Sequence, residues 1–290
     1  MGTAKIRNQI HIKKYKQAPL PFQGQKKRFI KDFERALQEY PSNAVYVDLF
    51  GGSGLLSHTV KRLYPNATVI YNDFDNYCRR LEAIPKTNAI LNEIRALNLS
   101  TPNEKCIIRA EREAVLDVLK RADATGFVDW ITLSASLKFS MNYGLCYEDF
   151  AGDSLYNCLR SSDYDEATDY LQGIEIVRLD YKALFEQYKD VPNVVFLIDP
   201  PYLSTDTATY NSQNYWKLSD YLNVLDCLHG QGYFYFTSNK SQIVELCQWI
   251  ETRTADANPF SGAKVCTIGN APSYNTKFTD IMYYKVCWRH

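Results

Sequence analysis

Residues 44–73, AVYVDLFGGSGLLSHTVKRLYPNATVIYND, decide the fold. The run 44–50 is apolar but for Asp48 and reads as a short buried strand. Gly51-Gly52-Ser53-Gly54 reads as a sharp turn, 55–64 as a helix broken by Pro65-Asn66, and 67–71 as a second strand closed by Asn72-Asp73. Strand, glycine turn, helix, strand is a βαβ unit, the building block of a parallel sheet. Glycines at such a turn let a ligand approach the backbone, and an acid about 20 residues further on, here Asp73, is placed for ribose hydroxyls. The pattern serves NAD and S-adenosylmethionine alike. The full G-x-G-x-x-G is broken, because Ser57 stands where the third glycine would be.

Working outward, a continuous apolar run, VVFLI (194–198), reads as a strand buried on both faces. It delivers Asp199-Pro200-Pro201-Tyr202 to the carboxyl end of the sheet, where open α/β folds bind ligands. Two prolines stiffen that bend and remove two N–H donors. The Asp199 carboxylate, the bend's carbonyls and the flat face of Tyr202 then suit a planar base carrying an amino group. An ordinary Asp-Pro turn is the plain alternative.

Further strands are expected at 174–178, at 233–236 and in a closing hairpin of 264–268 with 279–286; helices at 181–188, 217–228 and 241–250 alternate with them. Residues 79–171 have a different texture. Helical spacing appears at 90–97 and 111–122, 127–139 is ambiguous by period, and 146–169 is polar and acidic. The expected fold is α/β, a doubly wound, mostly parallel sheet formed by 1–78 and 172–290, with 79–171 as an inserted, mainly helical lobe.

Composition narrows the function classes. Apolar residues make up 46% of 290 positions, which is normal for a globular chain, and no apolar stretch approaches membrane-span length. The first residues lack the apolar block of a secretory signal. Eight cysteines without a C-x-x-C pair read as reduced thiols of a cytoplasmic protein, and four histidines without ligand spacing make no case for a metal. Net charge is zero, yet Lys5, Arg7, Lys13, Lys14, Lys16, Lys26, Lys27, Arg28, Lys31 and Arg35 crowd the first 35 residues. Such a cluster is either a phosphate-facing patch or a solvated tail.

The succession PFQGQKK (21–27), VDLFGGSG (47–54), YNDFD (71–75), VRLDY (177–181), FLIDPPY (196–202) and FTSN (236–239) resembles Dam-type N6-adenine DNA methyltransferases, including their phage and mobile-element relatives. The likeness covers most of the chain outside the central lobe. It implies an S-adenosylmethionine-dependent methyltransferase core, S-adenosylhomocysteine as product, no metal, and double-stranded DNA as partner. It implies that Phe22, Gly24 and Lys26 wrap the methionine end of the cofactor, with Lys26 facing its carboxylate. Asp48, Gly51, Gly52 and Gly54 would line the methionine and sugar, Phe50 the adenine, and Asp73 the ribose. Asp180 would accept the cofactor's adenine amino group, and Asp199, Pro200, Pro201 and Tyr202 would hold a flipped target adenine. Phe50 as ordinary core and Asp180 as a helix cap are the competing readings.

Residues 203–214 are expected to close over the base, with Tyr210 or Tyr215 contributing. The lobe is expected to read the target sequence. Its nearest match to the F-N-G-L-type block of these enzymes is Phe139-Ser140-Met141-Asn142-Tyr143-Gly144-Leu145, with no arginine close behind, so a GATC target does not follow. Lys138, Asn142 and Arg160 are the candidate nucleic-acid contacts. A monomer or weak dimer is expected. The rival functions are an RNA adenine methyltransferase, a nucleotide-linked oxidoreductase and a non-catalytic DNA-binding relative.

Overall fold

The computed structural model describes residues 12–139, 142–202, 216–254, 257–273 and 276–287. The expected lid at 203–214, with Tyr210 and Tyr215, lies outside the described residues, as do Lys5 and Arg7. In chain order the elements begin with α1 (Ile30–Leu37), β1 (Val45–Asp48), α2 (Leu55–Leu63) and β2 (Thr68–Asn72). Then come α3 (Tyr77–Glu82), α4 (Ile84–Ala96), α5 (Arg109–Asp123), α6 (Trp130–Leu137) and α7 (Tyr147–Gly152). The remainder is β3 (Glu175–Val177), α8 (Tyr181–Tyr188), β4 (Val194–Ile198), α9 (Leu218–Asp226), β5 (Gly232–Ser238), α10 (Ile243–Glu251), β6 (Lys264–Ser273) and β7 (Thr276–Lys285).

Two compact units result: one from residues up to Gln17, Gln25–Asp75 and Asp169 onward, the other from Ala18–Gly24 and Asn76–Thr168. The first holds a seven-stranded sheet in the order β3-β2-β1-β4-β5-β7-β6. β1 through β5 run parallel, while β7 pairs antiparallel with both β5 and β6. This is the expected α/β architecture, a mostly parallel sheet completed by an antiparallel hairpin.

Strand alternation divides the core into two faces. Val47, Phe196, Ile198, Tyr233 and Tyr235 pack with Leu184 of α8, Val224 of α9 and Ile243 of α10. Tyr46, Val195, Leu197, Phe234 and Phe236 pack on the opposite face with Phe33 and Leu37 of α1 and Val60 of α2. All five residues of β4 are buried, as a central strand covered on both faces requires. Helix α1 was not anticipated. Its apolar residues Ile30, Phe33, Ala36 and Leu37 are buried at helical spacing while the charged ones face out.

The second unit is a helical cluster around Leu91, Ile94, Val115, Leu119, Leu133 and Phe150. The ambiguous stretch 127–139 contains α6, capped by Asp129, whose carboxylate accepts from Thr132 N. Arg80 and Asp129 form a buried ion pair, Nε to Oδ1 2.9 Å. The same guanidinium donates to the Pro21 carbonyl at 2.7 Å, and the Tyr77 hydroxyl takes the Leu20 N–H at 3.0 Å. These bonds attach 18–24 to this unit.

Candidate active site

The site grows from the carboxyl ends of β1, β2 and β4. Asp48, the last residue of β1, stands in register with Tyr71 of β2 and Leu197 of β4, so the turns after β1 and β4 leave the same edge. Gly52 (φ 51°) and Gly54 (φ 71°) occupy the left-handed region, where a side chain is strained. A Cβ on Gly51 would sit 2.2 Å from the Tyr71 ring and 2.7 Å from the Asn72 carbonyl, so close approach demands glycine there. The Tyr71 hydroxyl donates to the Gly52 carbonyl at 2.7 Å and lies 3.2 Å from Asp73 Oδ1. Asp73 is buried at the end of β2. Asn72, not singled out from sequence, donates to the carbonyls of Leu49 (3.0 Å) and Leu179 (2.9 Å) and accepts from Leu179 N (3.0 Å). Its side chain thereby staples the segments that follow β1 and β3.

Asp48 is buried, and one of its oxygens is well served: Ser57 Oγ donates to Oδ2 at 2.7 Å. This explains why Ser57 replaces the third glycine of the motif. Among the described residues Oδ1 has no side-chain partner and no well-formed hydrogen bond, although the Phe50 N–H also favours the charged form of this carboxyl. Burial pushes this carboxyl up to about 7, Ser57 opposes that rise, and the neighbouring Asp199 charge adds to it. Asp199 leaves β4 with its carboxylate Oδ2 2.5 Å from Lys26 Nζ. Its pKa is raised by burial, against the pull of Lys26, with a further push from Asp280 on β7. Lys26 is 9% exposed, so it is not part of a solvated turn. Its ammonium lies 5.3 Å from the Tyr202 ring centroid and 5.9 Å from that of Phe236. The structure thus places Lys26 on Asp199, where the sequence pointed to a cofactor carboxylate.

Other expected residues fall as follows. Phe50 is partly buried in an aromatic group with Tyr181 (4.9 Å between centroids) and Trp216 (5.7 Å), so the core reading holds for part of its surface. Asp180 caps α8, accepting from Lys182 N at 2.8 Å. Pro200 is buried, Pro201 partly so. Phe22 and Gly24 belong to the second unit, Phe22 packing edge-on against Tyr77 at 5.7 Å. Phe74, beside Asp73, leaves its ring 61% exposed, an apolar face that the motif reading overlooked although the sequence shows an aromatic next to the acid.

The lobe candidates need one correction. Lys138 is not a surface cation: its side chain is 2% exposed and bonds Asp153 Oδ2 (2.6 Å) and the Asp149 carbonyl (3.0 Å). A buried ammonium requires such partners, which places Lys138 in the lobe's framework. Asn142 is exposed, with Nδ2 3.4 Å from Asp153 Oδ2. Arg160 stacks over Tyr164 at 3.8 Å and donates to Ser162 Oγ at 3.1 Å.

The chemistry of this edge is that of a cation site. Two carboxyls, Asp48 buried and Asp199 partly so, stand near Lys26, so ionising both leaves one net negative charge at this edge. S-adenosylmethionine, which carries a sulfonium and a net positive charge, fits that imbalance. Among the described residues no acidic, histidine or cysteine cluster could hold a metal ion, and no helix is long and apolar enough to cross a membrane.

Comparison with known proteins agrees. A protein of Haemophilus influenzae described as "Putative methyltransferase" is 35% identical over 279 residues, covering 94% of this chain and 93% of that one. A solved precorrin-6y C5,15-methyltransferase from Geobacter metallireducens aligns over 90% of each chain at 10% identity and a TM-score of 0.34, a level that says nothing of the chemistry. The family model described as D12 class N6 adenine-specific DNA methyltransferase matches residues 22–243, and the chain belongs to that family.

Proposed function

We infer that the protein transfers a methyl group from S-adenosylmethionine to the N6 amino group of an adenine flipped out of double-stranded DNA. The observation that carries this reading is the placement of the Asp199–Tyr202 bend beside the glycine turn, with Asp48 and Asp199 close enough to perturb one another. S-adenosylmethionine supplies an electrophilic methyl on a positive sulfur. Gly51, Gly52 and Gly54 admit it to the backbone, Asp48 meets its positive charge, and Asp73 takes the ribose hydroxyls. Asp180, Phe50 and the exposed ring of Phe74 border its base.

An exocyclic adenine nitrogen is a weak nucleophile because its lone pair is delocalised into the ring. The Asp199 carboxylate and the Pro200 carbonyl accept its two N–H bonds, which favours a tetrahedral nitrogen with an available lone pair. Pro201 stiffens the bend, and Tyr202 stacks on the base, contributing on the order of 1–3 kcal/mol toward the cost of unstacking. Lys26 must release Asp199 before the amino group can bind there. The rate enhancement comes from positioning and from charge already in place. Asp199 need not be a strong base, since the proton leaves after transfer. The helical lobe supplies target recognition, with Asn142 and Arg160 as its candidate contacts. A cytoplasmic monomer or weak dimer suits this work.

The test is methyl transfer from labelled cofactor to duplex DNA and, in parallel, to RNA, followed by nucleoside mass spectrometry. N6-methyldeoxyadenosine from wild type and none from Asp199→Ala is the expected result. Product on RNA alone transfers the reading to RNA, and undiminished product from the variant removes Asp199 from the centre.

A further inference from the structure

The glycine turn is held by a polar assembly that reaches beyond the motifs. Two tyrosine hydroxyls grip consecutive carbonyls: Tyr71 donates to Gly52 O at 2.7 Å and Tyr170 donates to Ser53 O at 3.0 Å. Tyr71 belongs to β2, but Tyr170 arrives from elsewhere. It lies just after the chain returns from the helical unit at Asp169. Its neighbour Leu171 approaches so closely that a Cβ on Gly54 would lie 2.9 Å from Leu171 Cδ2.

Tyr170 is itself fixed by His58 of α2. The imidazole stacks on the Tyr170 ring, centroids 4.8 Å apart and planes 19° from parallel. Its Nδ1–H donates to the Tyr170 carbonyl at 2.7 Å, and Nε2 accepts from the Tyr15 amide at 3.3 Å. These two bonds define one neutral tautomer. Tyr15 closes the assembly: its ring packs edge-on against His58 (5.2 Å) and Tyr170 (5.0 Å), and its hydroxyl donates to Asp169 Oδ1 at 2.6 Å. His58 and Tyr170 are fully buried.

A turn with two left-handed glycines has little conformational preference of its own, and ordering it costs more entropy than ordering other residues. Preorganising such a segment raises ligand affinity by removing that cost from the binding step. We propose that Tyr170, locked by His58 and Tyr15, is a positioning residue that presets the 51–54 turn for the cofactor. This rests on the reading of that turn as the S-adenosylmethionine site. Tyr170 acts through the Ser53 carbonyl and takes no part in the chemistry. It also makes cofactor affinity depend on how the chain re-enters the sheet unit after the lobe.

The experiment uses the full chain and S-adenosylhomocysteine as probe. Calorimetry on Tyr170→Phe, which keeps the ring and removes one hydroxyl, is expected to show binding weaker by about 2- to 10-fold, the range of one net hydrogen bond. KM for S-adenosylmethionine rises by a similar factor while kcat at saturation holds. Amide exchange in the unliganded variant quickens at 52–54 and stays unchanged in β1 and β4; a merely structural defect would quicken all three. His58→Gln, which keeps a donor for the Tyr170 carbonyl, is expected to bind more tightly than His58→Ala. Wild-type affinity in Tyr170→Phe with unaltered exchange at 52–54 overturns the proposal. If the wild type itself fails to bind the probe, the reading of the turn falls, and the exchange result alone then decides whether Tyr170 fixes it.

Discussion

Replacing Asp48 by asparagine should stabilise the protein at alkaline pH while destroying its affinity for cofactor. The buried carboxyl titrates at about 7 in the fold, against an ordinary value of 3.8. A carboxyl raised in this way favours the folded state fully below its unfolded value and loses that contribution as pH rises through its folded value. Each unit of difference is worth about 1.4 kcal/mol. Between pH 5 and 7 the unfolded chain is already ionised at this position while the fold still holds its proton, so wild type loses about 2–3 kcal/mol there relative to a side chain that does not titrate. Above about 7 the loss levels off.

Asparagine keeps an acceptor for Ser57 Oγ but puts an amide where Oδ1 has no side-chain partner, a constant penalty of about 1 kcal/mol. The predicted signature is therefore a slope. In urea titrations of the unliganded protein at pH 5, 6, 7 and 8, the stability of Asp48→Asn minus that of wild type should climb by about 2–3 kcal/mol and then plateau. Calorimetry at pH 8 should show cofactor binding lost. A stability difference that stays flat from pH 5 to 8 would refute the argument that this carboxylate is held charged at a cost to the fold.

Three further outcomes follow from the same geometry. Lys26→Met removes the charge that restrains the rise of the Asp199 pKa, so the acidic limb of the pH–rate profile, measured at saturating cofactor, should move to higher pH; an unmoved limb would show that Asp199 does not titrate in the rate. Arg80→Ala strands Asp129 in the lobe and releases the Pro21 carbonyl, which should cost about 3–5 kcal/mol in denaturant unfolding; a loss under about 1 kcal/mol would mean water replaces the guanidinium. His58 is lowered from its ordinary 6.5 by burial and by Arg62, against the Tyr170 carbonyl and Asp169. Its contribution is complete above 6.5 and declines as pH falls toward the folded value. Wild type should therefore weaken between pH 6.5 and 5 more than His58→Gln in parallel urea titrations, and identical slopes would count against a buried neutral imidazole.

The parts of the fold that were legible in the sequence are those whose information is local. The strand 194–198 and the helix 181–188 match β4 and α8 residue for residue, because an unbroken apolar run ends at a proline bend and a helical stripe begins at an aspartate cap. The βαβ unit was found within a residue or two at each boundary. Helix α1 was missed although Ile30, Phe33, Ala36 and Leu37 are well spaced, since its charges invited a phosphate-binding reading. Lys138, Arg80 and His58 show the other limit. Their partners Asp153, Asp129 and Tyr170 lie 15, 49 and 112 residues away, and a polar side chain bonded across such distances leaves no period in its own segment. Lys26 combined both failures: its neighbours Lys27 and Arg28 are exposed, and its partner Asp199 lies far along the chain, just past the end of β4.

The charge count at the strand ends also explains how one site can favour donor over product. S-adenosylmethionine carries one net positive charge, whereas S-adenosylhomocysteine, having lost the sulfonium, carries none. Once both are ionised, Asp48 and Asp199 against Lys26 leave one negative charge at the edge of β1 and β4, with Asp280 adding to the field. For a partly buried pair, one unit of charge a few ångströms away is worth on the order of 1–4 kcal/mol. On the proposed reading of the site, methyl transfer would remove that attraction from the bound product, and the carboxylates that held the donor would no longer hold it. The feature that weakens the unliganded fold above neutrality is then also what turns the site over. A neutral isostere at Asp48 would gain stability by giving up the ability to distinguish the two cofactor forms.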